Sequence, residues 1–443
     1  MPAEARPTVL SGFSGVGGLD LGLEAAGFVH VGCVELDPIA RRSLKANRDD
    51  QWPLLETGDI LDAAETLTPH AVGLRRRELT LLAGAPPCQP FSKAAQWSRT
   101  ARIGLDDERS DCLHGFLDLA ETFLPKAILM ENVTGFAQGA IAALPEIQRS
   151  LARINARWGT HYRPEPRVLD AASFGVAQRR RRAIIVALRD GGRFSWPMPT
   201  HDRAPVRSWD AIGRLKVADP PVAVGKWADL LPSIPEGENY LWHTSRGGGR
   251  PLFGYRTRYW SFLLKLAKDM PAWTLPAQPG PSTGPFHWDN RPLALEELLR
   301  LQSLPADWAV EGSYRDQVRQ VGNATPALLG EVLGRAILAA LQLPLPAGPL
   351  RLAIPRLARV PKRTPPGRVI SAYRSLEGEH PDHPGAGLGP KAREGSNNSI
   401  RAVRVIRDAR TEPMRTGQIA TRPRSLGSAS VDVQRIPWRL VRW

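Results

Sequence analysis

Residues 8–27 read TVLSGFSGVGGLDLGLEAAG, so that an apolar run, a glycine-rich turn and a second apolar run follow one another. This order predicts a strand over Thr8–Phe13 and a helix over Leu19–Ala26, which ends at Gly27, a residue common just past helix ends. Glycines let a ligand approach the backbone closely, and the helix N-terminus offers free N–H groups. The stretch predicts a strand, turn and helix that bind a nucleoside-like ligand.

Acidic residues follow the glycine-rich turn at the distances expected of a nucleoside pocket. Val31–Val34 is predicted to be a second strand, and Glu35 stands at its end. A carboxylate about 20 residues beyond such a turn can accept hydrogen bonds from ribose hydroxyls. A second acidic turn, Gly58-Asp59-Ile60, could bond an adenine amino group. The lack of Gly-Lys-Ser/Thr after the glycines argues against a phosphate-binding NTPase loop.

A single cysteine lies between prolines directly after a third apolar run. The run Leu79–Gly84 predicts a buried strand, and Pro87-Cys88-Gln89-Pro90-Phe91-Ser92 follows it closely. Prolines restrict the backbone and supply no N–H groups, so this loop is predicted to be stiff and to hold Cys88 outward. Ligands of open α/β sheets bind at the carboxyl ends of the strands. Cys88 is therefore a candidate nucleophile, although an isolated thiol is more often a buried structural residue.

Two further groups are predicted at the same edge of the sheet. The run Lys126–Met130 predicts another strand, which Glu131 follows, so a carboxyl group should reach the edge where Cys88 lies. Four consecutive arginines then follow Gln178 and precede a predicted strand over residues 183–188. Alternate side chains of a strand share a face, and this predicts Gln178, Arg180 and Arg182 on one side.

Six motifs together resemble those of the DNA (cytosine-5) methyltransferases in order and rough spacing. The resemblance covers about residues 8–342, with Leu304 where the family usually has Phe and Ala324 where Ser is common. It implies an α/β fold with a Rossmann-like, S-adenosylmethionine-dependent methyltransferase domain and a small irregular target-recognition domain, and composition adds a basic, disordered C-terminal tail. The motifs are Phe13-Ser14-Gly15-Val16-Gly17-Gly18, Pro87-Cys88-Gln89, Glu131-Asn132-Val133, Gln178-Arg179-Arg180-Arg181-Arg182, Arg300-Leu301-Gln302-Ser303-Leu304-Pro305 and Gly322-Asn323-Ala324.

The resemblance implies methyl transfer to C5 of a cytosine in a specific double-stranded DNA sequence. The thiolate of Cys88 would attack C6, which makes C5 nucleophilic, and Glu131 would bond N3 and the exocyclic amine. Arg180 and Arg182 would favour the thiolate, and Arg182 would also contact the base and orient Glu131. Such chemistry requires the cytosine to be flipped out of the duplex. No metal ion is expected in this reaction.

The same resemblance divides the candidate site into two sets of residues. The predicted catalytic residues are Cys88, Glu131, Arg180, Arg182 and Gln89, the last in the loop that follows the base. The residues predicted to bind S-adenosylmethionine are Phe13, Gly15, Gly17, Gly18, Glu35, Asp59, Ile60 and Asn323.

Composition predicts four parts along the chain. Residues 1–190 alternate between strands and helices and predict a parallel, doubly wound catalytic and cofactor-binding domain. Residues 191–295 are rich in Gly, Pro, Trp and His and are assigned to target recognition. Residues 296–344 return to the catalytic domain with a helix capped by Thr325. Residues 345–443 carry 19 Lys or Arg against 7 Asp or Glu, which predicts a basic, low-order tail.

Positive charge marks the predicted DNA contacts. The whole chain carries a net charge of +15, and the tail holds most of it, which suits nonspecific attraction to phosphates, although a tail dispensable for function is slightly favoured. In residues 191–295, arginines beside flexible glycines suit a groove, where Arg can bond guanine edges. The only helical periodicity of that segment lies at Tyr259–Asp269, and Thr274-Leu275 resembles a short element of family recognition regions. The predicted DNA-binding residues are Ser92, Arg250, Arg256, Arg258 and Lys265.

Cysteine usage and hydropathy predict the setting of the protein. Three cysteines, without paired spacing for zinc, argue against a disulfide framework. No signal peptide or membrane-length apolar run is visible, which favours the bacterial cytoplasm, in association with the nucleoid. The compact architecture resembles monomeric bacterial enzymes that act on DNA beside a restriction endonuclease.

Three alternatives remain open on the sequence alone. A tRNA-methylating branch of the same family carries a Cys-Phe-Thr element in its recognition region, whereas this chain has no cysteine after Cys112. An unrelated group of RNA cytosine methyltransferases uses two cysteines in adjacent motifs, whereas Cys88 stands alone in its loop. A noncatalytic DNA-binding relative should have lost Cys88 or Glu131, and both are present. DNA methylation is the favoured interpretation.

Overall fold

The computed structural model describes residues 6–87, 111–138, 142–255 and 259–377. All of them lie in one contact unit, Met1–Ala386, and a second unit, Gly387–Trp443, falls outside the described residues. No helix in the described ranges combines the length and the apolarity needed to cross a membrane.

Strands and helices alternate through the first half of the chain. The predicted strand, glycine turn and helix at the N-terminus are confirmed, with each bound within one residue of the prediction. Within the described ranges, the strands are β1 (Thr8–Gly12), β2 (Val29–Val34), β3 (Leu81–Gly84), β4 (Ala127–Asn132), β5 (Glu165–Asp170) and β6 (Arg181–Leu188). The α-helices there are α1 (Gly18–Ala25), α2 (Pro38–Arg48), α3 (Ile60–Thr66), α4 (Asp111–Phe123), α5 (Leu144–Trp158), α6 (Ser208–Ile212), α7 (Leu295–Leu301), α8 (Tyr314–Asn323) and α9 (Ala327–Ala340).

The six strands form one sheet in the order β2-β1-β3-β4-β6-β5. The first four strands pair in parallel, but β6 runs antiparallel to both β4 and β5. The prediction of an all-parallel sheet is therefore wrong at β6. Only a short segment with one 3₁₀ turn, Ala171–Phe174, joins β5 to β6, whereas a parallel return needs a longer crossover, usually a helix. As a result, β6 begins at the edge where β1, β3 and β4 end, called the carboxyl edge below.

Helices cover both faces of the sheet because its strands present apolar side chains on both sides. On β4, Ile128 and Met130 join one apolar cluster, and Ala127 and Leu129 join another, as alternation along a strand requires. The first cluster includes side chains of α3, α4 and α5, and the second includes side chains of α1 and α9. The sheet is thus the middle layer of an α/β sandwich.

The return helix α9 packs closely on α1 because α1 carries glycines at the contact. A Cβ atom on Gly22 would lie 2.2 Å from the carbonyl oxygen of Ala327, and one on Gly18 would lie 2.3 Å from that of Thr325. The predicted cap at Thr325 is wrong, since the N-cap of α9 is Pro326 and no side chain caps the helix. The end of the catalytic domain is thereby brought against the start of the chain.

Residues 191–295, called the recognition segment below, fold with little regular structure. An aromatic cluster at its centre includes Trp227, Tyr240 and Phe253. The helical periodicity at Tyr259–Asp269 does not produce a helix there. The N–H groups of Leu263, Lys265 and Leu266 donate instead to distant carbonyls, those of Ser282, Glu238 and Phe286, so long-range hydrogen bonds replace the local ones of a helix.

Residues 345–377 differ from the predicted low-order tail, because they pack on the preceding chain. The buried Glu331 carboxylate accepts hydrogen bonds from the N–H groups of Arg351 and Leu352. Tyr373 is buried and stacks on Trp227, with ring centroids 5.8 Å apart. The segment is held through backbone contacts with side chains of other elements, and periodicity in its own sequence does not reveal such contacts.

Candidate active site

The glycine-rich turn after β1 leaves its backbone open to a ligand. Gly15 and Gly17 have φ angles of 56° and 84°, in the left-handed region that favours glycine. A Cβ atom on Gly17 would lie 2.7 Å from the Trp52 ring, so this position is closed to larger residues. A Cβ atom on Gly15 would meet nothing within 4 Å among the described residues. Phe13, at a φ of 60°, begins the turn with its N–H bonded to the carbonyl of Val34.

Glu35 joins the end of β2 to this turn. Its carboxylate accepts hydrogen bonds from the N–H of Gly15, at 2.6 Å, and from the N–H of Asp37, at 2.8 Å. Burial raises the pKa of the Glu35 carboxyl, and the two N–H donors offset part of this shift. Glu35 therefore holds the turn in shape, and each of its oxygens retains a lone pair for a further donor such as a ribose hydroxyl.

The residue after Glu35 was not singled out from the sequence. Leu36 is 67% exposed, an unusual position for a large apolar side chain that follows a buried strand directly. It offers an apolar surface next to the Glu35 carboxylate. An apolar residue after the acidic end of the second strand is the signal that could have identified it.

Asp59 and Ile60 stand at the start of α3. The Asp59 carboxylate caps this helix, because it accepts a hydrogen bond of 2.9 Å from the N–H of Leu61. The Ile60 side chain is buried against the end of β1. A Cβ atom on Gly12 would lie 3.3 Å from its Cδ1 atom. Ile60 thus supports β1, and Asp59 has a structural task besides the predicted contact with adenine.

The returning chain completes the surroundings of the glycine turn. Thr325 and Ala324 lie against Gly18, and the neighbouring Asn323 ends α8 with an exposed side chain. Tertiary packing therefore brings the last predicted cofactor residue to the turn at which the chain begins.

Glu131 and Arg182 meet at the carboxyl edge. Glu131 lies within β4 and is 5% exposed, and its Oε1 atom is 3.0 Å from Nε of Arg182 on β6. The antiparallel direction of β6 makes this contact possible, because the first residues of β6 lie beside the last residues of β4. The structure thus pairs a buried carboxylate with a guanidinium at the edge where Cys88 was predicted.

Asn132 connects this pair to the cysteine loop. Its side-chain amide donates a hydrogen bond of 3.0 Å to the carbonyl of Pro86, and its Oδ1 accepts one from the N–H of Val133. Pro86 stands two residues before Cys88, and Asn132 directly follows Glu131. Asn132 is buried and was not predicted as a site residue, although it stands in one of the six motifs. It holds the base of the cysteine loop against the end of β4.

Arg180 and Gln178 bind the returning segments. The Arg180 side chain is 1% exposed and donates hydrogen bonds to the carbonyls of Leu275, Gly322 and Asn323. Gln178 is fully buried and donates to Oε1 of Gln302. Arg182 contacts Glu131, whereas Gln178 and Arg180 contact the returning chain, so the three side chains of the predicted shared face have different partners. These bonds give Arg180 a positioning role.

Gln302 was not predicted as a site residue. Its side-chain amide is fully buried and donates to the carbonyls of Val321 and Ala324, while its Oε1 accepts from Gln178. One side chain thus joins the residues before β6 to the segment beside the glycine turn. Gln302 stands within one of the six motifs, and this position is the sequence signal that could have identified it.

Comparison with known proteins identifies the chain. The family described as C-5 cytosine-specific DNA methylase matches residues 8–339, from β1 to the last turn of α9. The chain belongs to this family. As a DNA (cytosine-5) methylase, it transfers a methyl group from S-adenosylmethionine to C5 of cytosine in DNA. The sequence-based predictions of the family, the activity, the fold class and the cofactor are confirmed.

Curated relatives and solved structures agree with this assignment. Type II methyltransferase M.SacI of Streptomyces achromogenes is 36% identical to the methylase over 371 residues, covering 74% of this chain and 92% of the relative. Type II methyltransferase M.NaeI of Lentzea aerocolonigenes is 34% identical and covers 74% of each chain. The structure of methyltransferase EhMeth of Entamoeba histolytica superposes with a TM-score of 0.52 at 14% identity, over 76% of this chain and 99% of that one, and supports the fold. The tRNA alternative is less supported.

The residues around the glycine turn of the methylase fit the cofactor. A nucleoside with a charged amino acid end needs an open backbone, a carboxylate that accepts from hydroxyls and an apolar surface for the base. Gly15 is open, Glu35 is a buried carboxylate beside it, and Leu36 is an exposed apolar side chain. These three observations support the predicted binding of S-adenosylmethionine at this turn.

The predicted DNA contacts of the methylase are only partly described. Arg250 is exposed and forms an ion pair with Glu377 of the packed C-terminal segment. Lys265 is 3% exposed, and burial lowers its pKa to about 8. Its burial argues against the predicted contact with DNA, because a phosphate would have to enter the recognition segment. Cys88, Gln89, Ser92, Arg256 and Arg258 lie outside the described residues.

Replacement of Glu35 by glutamine is expected to weaken binding of S-adenosylmethionine about 10- to 100-fold. The amide keeps the shape but loses the charge and one acceptor oxygen, and charged hydrogen bonds are worth about 1.5–3 kcal/mol. Isothermal titration calorimetry with the cofactor measures the change. The matched control is Glu65→Gln, on the exposed side of α3, which should bind like the parent protein. Equal affinities for the two variants would contradict the role of Glu35.

Proposed function

We propose that the methylase acts on a cytosine flipped out of double-stranded DNA, with Cys88 as nucleophile and with Glu131 and Arg182 as the groups that hold the base. The observation that carries this proposal is the Glu131–Arg182 contact at the carboxyl edge, next to an Asn132 side chain that bonds Pro86. This arrangement supports a cysteine loop that emerges beside a base-binding carboxylate.

The proposed reaction joins Cys88 to the cytosine ring, transfers the methyl group and then releases Cys88. The Cys88 thiolate forms a bond to C6, while Glu131 bonds N3 and the exocyclic amine and stabilises the negative charge that develops on the ring. S-adenosylmethionine, when bound, supplies the electrophilic methyl group that C5 accepts. The C5 proton then leaves to water, and the electrons of the C5–H bond restore the C5–C6 double bond as the Cys88–C6 bond breaks.

Arg182 and Arg180 have separate tasks in this proposal. Arg182 fixes the orientation of the Glu131 carboxylate and places positive charge at the edge where the Cys88 thiol must ionise. Arg180 fixes the segments that carry Leu275 and Gly322 against the start of β6. These bonds make Arg180 a positioning residue, and its predicted catalytic role stays a prediction.

Expression of the full chain in a host without cytosine methylation should produce 5-methylcytosine within one short DNA sequence. Sequencing that separates 5-methylcytosine from cytosine measures both the modification and its context. The control is the same host with the Cys88→Ala variant, which should leave the DNA unmodified. Methylation in many unrelated contexts would contradict sequence specificity, and modified tRNA with unmodified DNA would restore the tRNA alternative.

We further propose that the recognition segment reads the DNA sequence, since an irregular, glycine-rich surface with cations suits a groove. Exchange of residues 191–295 for the same segment of a relative with another target should change the methylated sequence and leave cofactor affinity unchanged. The exchange should also carry residues 360–377 of the relative, because Tyr373 packs on Trp227 inside this segment. An unchanged target sequence would contradict the assignment.

The biological setting is also a proposal. Both relatives described above are named Type II methyltransferases. By analogy, we assign this methylase to a restriction-modification system, acting as a monomer in the bacterial cytoplasm near the nucleoid and protecting DNA from a partner endonuclease. A nuclease gene next to this one, whose product cuts only the unmethylated sequence, is the expected finding.

A further inference from the structure

Three side chains that the methyl transfer does not use meet beneath the glycine turn. Asp20 on α1 and Cys33 on β2 are fully buried, and His30 on β2 is 4% exposed. Nε2 of His30 lies 3.2 Å from Oδ1 of Asp20, and Sγ of Cys33 lies 3.9 Å from the same oxygen. The three potential ligand atoms all lie within 4.8 Å of one another. Among the described residues, this is the one such group of His, Cys, Asp or Glu side chains.

A bulge in β2 brings His30 and Cys33 together. Residues three apart on a regular strand point to opposite faces. Here Val9 pairs with His30, whereas Leu10 pairs with Gly32, so β2 contains one extra residue at this point. The extra residue reverses the alternation, and His30 and Cys33 both reach Asp20 on α1. The backbone irregularity thus assembles the three side chains.

Cys33 and Ser14 donate hydrogen bonds to Oδ1 of Asp20, but other polar atoms of this group lack a partner among the described residues. Oδ2 of Asp20 and both ring nitrogens of His30 are buried without a hydrogen-bond partner there. The 3.2 Å separation of His30 and Asp20 is short enough for a hydrogen bond, but the two groups are not aligned for one. The Asp20 carboxylate and a neutral His30 imidazole therefore each keep a lone pair for a further partner. The face of the His30 ring packs on Trp52, with centroids 4.8 Å apart, which leaves the ring nitrogens at its edge.

We propose that Asp20, His30 and Cys33 bind a zinc ion. Carboxylate oxygen, imidazole nitrogen and thiolate sulfur are the three donor types that zinc takes in proteins. On binding, the Cys33 thiol releases its proton to solvent, and zinc gains one bond to each side chain. The two charges of the cation are then balanced by one carboxylate and one thiolate, so the buried group is neutral overall.

Ser14 offers the fourth position of a tetrahedral site. Its hydroxyl oxygen lies 3.4 Å from Oδ1 of Asp20 and is buried in the glycine turn itself. The ion would therefore join the turn, α1 and β2 at one point, directly below the cofactor pocket. Its role is to stabilise the turn, and it takes no part in methyl transfer. The spacing of the cysteines does not reveal such a site, because the three ligands depend on the bulge in β2.

Metal analysis of the full-length protein tests this proposal. Protein prepared without metal-affinity columns should contain about one equivalent of zinc by mass spectrometry of the digested sample. After removal of zinc with a chelator, addition of Co²⁺ should give the absorption bands of a tetrahedral cobalt site, including a thiolate charge-transfer band. Removal of the metal should lower the thermal unfolding temperature, and zinc should restore it.

Variants assign the ligands. The thiolate–cobalt band should disappear in Cys33→Ala and persist in Cys112→Ala and in Cys88→Ala, since neither of these thiols belongs to the group. Folded wild-type protein that contains no zinc and takes up neither Zn²⁺ nor Co²⁺ would overturn the proposal. A cobalt band that survives Cys33→Ala would also overturn it, and the wild-type measurement decides the matter if that variant does not fold.

Discussion

Cys88→Ala is expected to abolish DNA methylation, with a loss of turnover on the order of 10⁴-fold or more, the scale seen when a covalent nucleophile is removed. The thiol supplies chemistry and no predicted packing, so the variant should bind S-adenosylmethionine and DNA like the parent protein. Methyl transfer from radiolabelled cofactor to duplex DNA measures the loss, and calorimetry measures the retained cofactor binding. The matched control is Cys112→Ala, at a half-buried thiol on α4, which should keep its activity.

A trapping experiment identifies the attacking atom directly. Duplex DNA with 5-fluorocytosine at the target should accept both the thiolate and the methyl group, but fluorine cannot leave as a proton does. The protein should therefore remain joined to the DNA through Cys88, and mass spectrometry of the joined peptide identifies the residue. Attachment at Cys33 or Cys112, or undiminished methylation by Cys88→Ala, would contradict the mechanism.

Glu131→Gln is expected to lower kcat about 10²- to 10³-fold, as the loss of one group that stabilises transition-state charge does. Glutamine keeps the shape of the side chain but loses the negative charge that faces the Arg182 guanidinium. Cofactor affinity should be unchanged, because the Glu35 contacts with the glycine turn do not involve Glu131. Single-turnover methylation measures the effect on the chemical step.

The control for Glu131 separates chemistry from stability. Glu296→Gln, on the exposed side of α7, should leave both activity and thermal unfolding unchanged. Glu131→Gln should still form the covalent adduct with 5-fluorocytosine DNA, only more slowly, because Cys88 remains in place. Full-rate methylation by a folded Glu131→Gln protein would show that this carboxylate does not hold the base.

The sequence predicted the elements that carry local signals. The strand, glycine turn and helix of residues 8–27 were predicted within one residue, since glycines and apolar spacing act over a few positions. The order of six motifs was enough to predict the family and the cofactor, which the comparisons confirm. The roles of Cys88 and Gln89 stay predictions, because these residues lie outside the described part of the chain.

Predictions that depended on distant partners were less accurate. The helical periodicity at Tyr259–Asp269 does not produce a helix, because N–H groups there donate to carbonyls far along the chain. The first part of the predicted low-order tail packs on the preceding chain, because Glu331 accepts hydrogen bonds from backbone N–H groups of that segment. Lys265 was predicted to contact DNA, but its side chain is buried inside the recognition segment. In each case, the residues that determine the local structure are distant in sequence.

The family and the chemistry could be predicted from the sequence alone, because they follow from motifs that are short and local, and the roles of the site residues stay predictions. Only the tertiary structure decided which groups meet. Because β6 runs antiparallel to β4, Arg182 lies beside Glu131. The Arg180 side chain instead donates a buried hydrogen bond to the returning chain. Pairing between strands that are distant in sequence sets the direction of each strand. It also sets the bulge in β2 that brings Asp20, His30 and Cys33 together.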